Sequence, residues 1–143
     1  MGKYLVGIDA GTTGCKTCVF DLDGNLMGMS YREYSCIYPK PGYVEQKPED
    51  VLSKLFSTCK EAIENARIDA DDISAMGLST ISNTFCLMDE HENLLYDFVV
   101  WNDIRVTGQE IEMLKENFSP EEHYHTAGRP ITTGNAGIAK FLW

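Results

Sequence analysis

The chain has 143 residues, 43% of them hydrophobic and 24% charged, which is enough apolar material for one soluble domain with a core. Its formal net charge of −10, with the twelve Lys and Arg scattered, argues against nucleic acid and membrane as partners. No apolar run approaches the roughly 20 residues of a membrane span, and the N-terminus lacks a signal-peptide pattern, so a cytoplasmic location is expected.

Tyr4–Asp9 is a short apolar run rich in strand formers that ends in a carboxylate. Gly11-Thr12-Thr13-Gly14 then reads as a turn, and a second strand runs through Phe20. Asp21–Asn25 is a hairpin connection with Gly24 where positive φ is expected. Its acidic spacing lacks the glycine and the closing Glu of a calcium loop. A third strand follows from about Leu26 to Tyr34, so the chain opens on an antiparallel meander. Of the five cysteines, Cys15 and Cys18 form a C-x-x-C. Three residues apart on a strand, they point to opposite faces, and free thiols are expected.

The loop Tyr38–Tyr43, with two prolines and a glycine, precludes regular structure. It leads to a helix with Pro48 at its first position and Glu49 and Asp50 in its first turn. Val51, Leu52, Leu55, Phe56, Cys59, Ala62, Ile63 and Ala66 recur at helical spacing and are expected in the core. After the acidic turn Asp69–Asp72, Ile73–Thr80 reads as a buried strand. Thr84–Asp89 and Phe98–Trp101 read as two more strands around the turn Glu90–Asn93. A helix is expected from about Val106 to Asn117, with Asp103 and Arg105 available to cap it. Ser119-Pro120-Glu121-Glu122 has the form of a capping box opening a short helix that Gly128 ends. Asn135–Trp143 reads as a helix start with Ile138, Phe141, Leu142 and Trp143 on its apolar side. Ending on such residues, the chain is expected to be cut from a longer protein. The three histidines read as surface residues.

Phosphate recognition needs donors in a concave array free of bulky side chains. The glycine turn supplies backbone N–H groups, and Thr12 and Thr13 add hydroxyls. Magnesium takes oxygen ligands and keeps several waters, so Asp9 alone can serve as its protein ligand. Lys16 follows on the next strand. A strand–turn–strand phosphate loop opening a meander, with neither common helix-linked phosphate motif present, points to an α/β chain with the actin-like ATPase (ribonuclease H-like) fold. Such a grip is shared by kinases and by ATPases that couple hydrolysis to conformational change without a sugar substrate. A plain binding module is a third reading.

Four stretches together resemble the N-terminal part of the FGGY carbohydrate kinases, the group of glycerol kinase and xylulokinase. They are Gly7–Lys16, Pro39–Pro48, Gly77–Asn83 and Trp101-Asn102-Asp103-Ile104-Arg105, the last close to the family's W-x-D-x-R. The resemblance implies one N-terminal domain over 1–143, part of the N-terminal lobe with a mixed sheet and flanking helices. It implies transfer of the γ-phosphoryl group of ATP, with Mg, to a sugar or polyol hydroxyl. Asp9 would serve the metal, and Gly11, Thr12, Thr13 and Lys16 the phosphates. Ser82 and Asn83 stand at the substrate-contacting pair, which is Arg-Glu in glycerol kinases and Met-His in xylulokinases. Both are neutral hydrogen-bonding residues suited to a polyhydroxyl ligand, or to a plain turn. Trp101, Asn102 and Asp103 would line the substrate site, and this trio resembles xylulokinases more. The catalytic Asp is expected downstream of this chain, which is therefore expected to be inactive alone. Whether the protein forms a homo-oligomer stays open.

Overall fold

The computed structural model describes residues 2–132 and 137–143. In chain order the elements are β1 Tyr4–Ala10, β2 Gly14–Asp21, β3 Leu26–Glu33, β4 Glu45–Gln46, α1 Pro48–Ala66, a short 3-10 turn Ala70–Asp72, β5 Ile73–Thr80, β6 Phe98–Val99, α2 Gly108–Asn117, α3 Pro120–Ala127 and α4 Gly137–Leu142. They form two compact units. One holds the chain up to Cys36 with Lys47–Ile81, and the other holds Ile37–Gln46 with Ser82–Trp143. No helix among the described residues is long and apolar enough to cross a membrane.

In the first unit the meander is present as expected. Its sheet has the order β3-β2-β1-β5, antiparallel except for the parallel pair β1–β5. The mixed sheet follows from the connection. A two-residue hairpin would return antiparallel, whereas the crossover through α1 brings β5 back alongside β1 in the same direction. Val6, Ile8 and Val19 form a core cluster with Ala62 and Ala66 of α1. The helix lies very close to β3, for a Cβ added at Gly28 would meet Ala66 N at 2.4 Å and Ala62 O at 2.6 Å. Small residues on both elements are what permit that approach.

Several expectations need correction. Leu52 and Phe56 are exposed, Phe56 at 68%, although the apolar stripe places them inward. Thr58 is buried instead and shares a hydrogen bond of 3.1 Å with the buried Thr17. A helix packed on a sheet buries a narrow face, and its small polar residues can fill it when they find partners. β5 was expected to be buried, yet Ser74–Thr80 are all exposed, Leu78 at 62%. It is an edge strand that pairs with β1 alone.

In the second unit, β4 and β6 form a two-stranded antiparallel sheet. The strand expected over Thr84–Asp89 is absent. Only isolated bridges join Phe85 to Val99 and Met88 to Leu94. The strand expected over Phe98–Trp101 shortens to Phe98–Val99. Asp89 turns the chain between the bridged segments, its Oδ1 accepting from His91 N at 2.9 Å and Asn93 N at 2.8 Å. α2 starts at Gly108 rather than Val106, because Thr107 caps it in a full capping box with Glu110. The cap is therefore neither Asp103 nor Arg105. Ser119 caps α3 by accepting from Glu122 N, and Gly128 ends it at φ 68°. Val106, Ile111, Leu114, Ile131 and Ala139 form this unit's core. The helix expected from Asn135 is described from Gly137, and Asn135 itself lies outside the described residues.

Candidate functional site

The phosphate-turn residues gather in the first unit. Gly11 N donates to Gly14 O at 2.9 Å, which closes the turn between β1 and β2. Gly14 admits no side chain, since a Cβ there would meet Arg32 O at 2.5 Å. Tyr34 holds the turn from just past the end of β3. Its hydroxyl donates to Gly11 O at 2.5 Å, and its N–H donates to Thr13 O at 3.1 Å. Burial, followed by the nearby Cys15 and Asp9, pushes the Tyr34 phenol up to about 12. The hydroxyl therefore remains a donor across the neutral range.

Register places three polar residues in one row. Lys16 of β2 pairs with Asp9 of β1, and Asp9 pairs with Ser79 of β5. Paired residues share a face of a sheet. One step down, Cys18, Gly7 and Gly77 occupy the matching positions. The two glycines leave bare backbone beneath the row. The result is an open depression of about 470 Å³ lined by Asp9, Lys16, Cys18, Phe20, Gly77 and Ser79, among others. Asp9 is exposed at the strand end, and its carboxylate is a hard oxygen donor beside the turn's amides. That donor set fits a magnesium ion held mainly by water and phosphate oxygens. No cluster of three or more His, Cys, Asp or Glu suited to a metal exists among the described residues. Cys15 and Cys18 are free thiols, as are the other three cysteines. Ser79 is the member of the row that residue types alone did not single out. Its alignment with Asp9 emerges only from the parallel β1–β5 register.

The other candidates, Ser82, Asn83, Trp101, Asn102 and Asp103, all lie in the second unit. Ser82 and Asn83 form a turn, with Asn83 at φ 62°. The next residue ties that turn to the tryptophan, for Trp101 N donates to Thr84 Oγ1 at 3.2 Å. Trp101 is 45% exposed and Asn102 is exposed as well. Asp103 has no exposed surface. Its Oδ2 accepts from Val44 N at 2.6 Å and from Arg105 Nη2 at 2.8 Å, and its Oδ1 accepts from Arg105 N and Nε. Burial opposes ionisation of Asp103, but the Arg105 side chain and the N–H groups of Val44 and Arg105 outweigh it and hold the carboxyl below its usual range.

Arg105 also donates to Glu45 Oε1 at 2.7 Å. Its guanidinium stacks on Tyr43 at 4.4 Å and on Trp143 at 4.7 Å, measured to the ring centroids. A buried guanidinium survives only when its donors are matched, and here two carboxylates and aromatic faces match it. On α4, Phe141 stacks on Phe85 with centroids 4.3 Å apart. Lys140, four-percent exposed, donates to Val100 O at 2.8 Å and Trp101 O at 3.0 Å. Tyr96 and Lys140 escaped the reading of motifs, and Glu45, though inside Pro39–Pro48, gave no sign of its pairing with Arg105, since these partners lie 40 to 60 residues away in sequence.

The model of the FGGY family of carbohydrate kinases, N-terminal domain, matches residues 4–143. The chain is similar to the glycerol kinase of Thermococcus kodakarensis, 32% identical over 142 residues, covering 99% of this chain and 28% of that protein. It is 34% identical over 118 residues to a glycerol kinase of Clostridium botulinum, covering 82% of this chain and 24% of that one. In structure it resembles the xylulose kinase of Rhodospirillum rubrum, with a TM-score of 0.87 at 20% identity over 99% of this chain and 28% of that one. The glycerol kinase of Plasmodium falciparum, solved with ADP, gives 0.79 at 21% identity over 100% of this chain and 29% of that one. The chain thus spans about a quarter of the length of the curated relatives it matches.

Proposed function

The chain belongs to the FGGY family of carbohydrate kinases, and we propose from that premise that it supplies the phosphate grip and part of the acceptor site of an enzyme that phosphorylates a sugar or polyol with ATP. The observation that carries the proposal is the Lys16–Asp9–Ser79 row above the bare Gly7–Gly77 backbone, beside the Gly11 turn. Backbone amides and hydroxyls of Thr12 and Thr13 offer donors to phosphate oxygens, Gly11 lets the backbone approach them, and Lys16 adds a positive charge. Asp9 would hold magnesium, which when bound neutralises charge on the β- and γ-phosphates. In the reaction the bond from the γ-phosphorus to its bridging oxygen breaks and a bond to the acceptor oxygen forms. ADP leaves, and the acceptor's hydroxyl proton passes to a base. We place that base downstream of these 143 residues and propose that they are inactive alone.

On the acceptor side, Trp101 and Asn102 are exposed and Ser82 and Asn83 turn beside them. They suit a neutral polyhydroxyl ligand, with the tryptophan as an apolar platform. Asp103, next in the chain, is buried against Arg105 and Val44 N. A xylulokinase-like acceptor is the leading reading, supported by Trp101-Asn102-Asp103. Glycerol is a second reading, supported by the names of the relatives above 30% identity. Incubating the protein as its gene encodes it with ATP, magnesium and a panel of pentoses, pentuloses, hexoses and polyols tests the proposal. A mass gain of one phosphate on one panel class is the expected result. ATP hydrolysis independent of every acceptor would favour a conformational ATPase, and absence of nucleotide binding would favour a plain binding module.

A further inference from the structure

Lys140 is the least expected residue of the second unit. It lies on α4, between the half-exposed Ile138 and Phe141, yet it is buried. Burial lowers the pKa of its amine, so the site works against the charge it holds. A buried ammonium costs several kcal/mol unless it is well partnered, by the general magnitude for desolvated ions. Its partners here are two main-chain oxygens on consecutive residues, Val100 and Trp101. A methionine or leucine would fill the space without the desolvation cost, so packing alone does not call for a lysine.

The two carbonyls are not arbitrary. They flank the point where the chain leaves β6 and turns outward at Trp101 and Asn102. Trp101 N is already fastened to Thr84 Oγ1. With its carbonyl held by Lys140, the Trp101 backbone is fixed at both its N–H and its C=O. The next turn is pinned by Asp103 N donating to Val100 O at 3.0 Å, so Val100 O accepts from two donors. α4 in turn is set against the same region by the Phe141–Phe85 stack.

We infer that Lys140 is a positioning residue for acceptor binding: its ammonium fixes the carbonyls of Val100 and Trp101 and so sets the attitude of the Trp101 ring. The inference rests on the proposal that Trp101 belongs to the acceptor site. Lys140 touches neither nucleotide nor acceptor in this role. It acts through the backbone of Trp101.

The test uses the protein as its gene encodes it, with steady-state kinetics for ATP and for the acceptor found in the panel screen. Lys140→Met should raise the acceptor KM about tenfold, the scale of one lost hydrogen bond to a charged group, with the ATP KM unchanged. Lys140→Arg should recover part of the loss. In a Trp101→Ala background, Lys140→Met should add nothing, because its effect passes through Trp101. If Lys140→Met does not yield folded protein, Lys140→Gln, with a donor on a shorter stem, is measured against the same outcomes. An unmoved acceptor KM, an equal rise in both KM values, or additivity with Trp101→Ala would overturn the inference and leave the kinase reading intact. A wild type that phosphorylates no acceptor overturns the kinase reading, and the inference falls with it. A Trp101→Ala variant with unchanged acceptor KM removes the placement of Trp101 and likewise overturns the inference.

Discussion

Arg105 and Asp103, two residues apart, face each other through two parallel hydrogen bonds, Nε to Oδ1 and Nη2 to Oδ2, each 2.8 Å long. Neither side chain exposes any surface. A pair this close in sequence usually caps a helix or lies in solvent. Here it closes the loop that displays Trp101 and Asn102, and ties that loop to Glu45 and Val44.

Breaking that pair should be costly. Asp103→Asn leaves the buried guanidinium with half its counter-charge, and the loss should approach about 3–5 kcal/mol, the range for removing one partner of a buried pair. Arg105→Lys should not rescue stability, because an ammonium gives neither the fork nor the stacking on Tyr43 and Trp143. Urea unfolding followed by tryptophan fluorescence measures both. Equal stability of wild type and Asp103→Asn would contradict the buried pairing.

The same pair sets an acid limit. The folded pKa of Asp103 is depressed below its ordinary 3.8. Its stabilising contribution is therefore complete above 3.8 and lost as pH falls through the folded value. Unfolding midpoints measured at descending pH should drop below 3.8 in the wild type. In Asp103→Asn that component should be missing.

Tyr34 sets an alkaline limit on the other unit. Its folded pKa, near 12, lies above the ordinary 10.0. A raised phenol pKa contributes stability that is complete below pH 10 and fades as pH rises toward 12. Tyr34→Phe should remove this dependence and loosen the Gly11 carbonyl by about 1 kcal/mol, the usual net value of one hydrogen bond. The expected functional consequence is a higher ATP KM with an unchanged acceptor KM. An unchanged ATP KM would show that the turn keeps its shape without Tyr34.

Asn83 separates backbone from side chain. At φ 62° it sits where asparagine and glycine are tolerated and branched residues are strained. Asn83→Gly should keep the fold and raise the acceptor KM if the amide contacts the acceptor. Asn83→Val should lower stability by about 1–3 kcal/mol, the range for strained backbone. An acceptor KM identical in wild type and Asn83→Gly would remove the side chain from the site.

What the sequence made legible was local. The Gly11–Gly14 turn, the Asp21–Asn25 hairpin and the start of α1 at Pro48 each depend on residues a few positions apart. The family resemblance likewise rests on contiguous stretches. The exposure of β5 was not legible, since Ser, Ala and Gly in a strand do not say whether the sheet continues past it. The segment Thr84–Asp89 carries strand-forming residues, but it meets its partner segment only at the isolated bridges Phe85–Val99 and Met88–Leu94, a pairing that residue types do not disclose. Lys140 was least legible of all. A lysine in an amphipathic helix reads as solvent-facing, and the carbonyls that receive it lie 40 and 39 residues earlier.

The measurement that bears most directly on the kinase proposal is acceptor-dependent ADP formation by the protein as its gene encodes it, run beside its Asp9→Asn variant. ADP release should rise with acceptor concentration in the wild type and fall by at least about a hundredfold in Asp9→Asn, the scale of losing transition-state charge stabilisation at transferring phosphate. ADP release that ignores the acceptor, or an Asp9→Asn variant as active as the wild type, would contradict the kinase proposal.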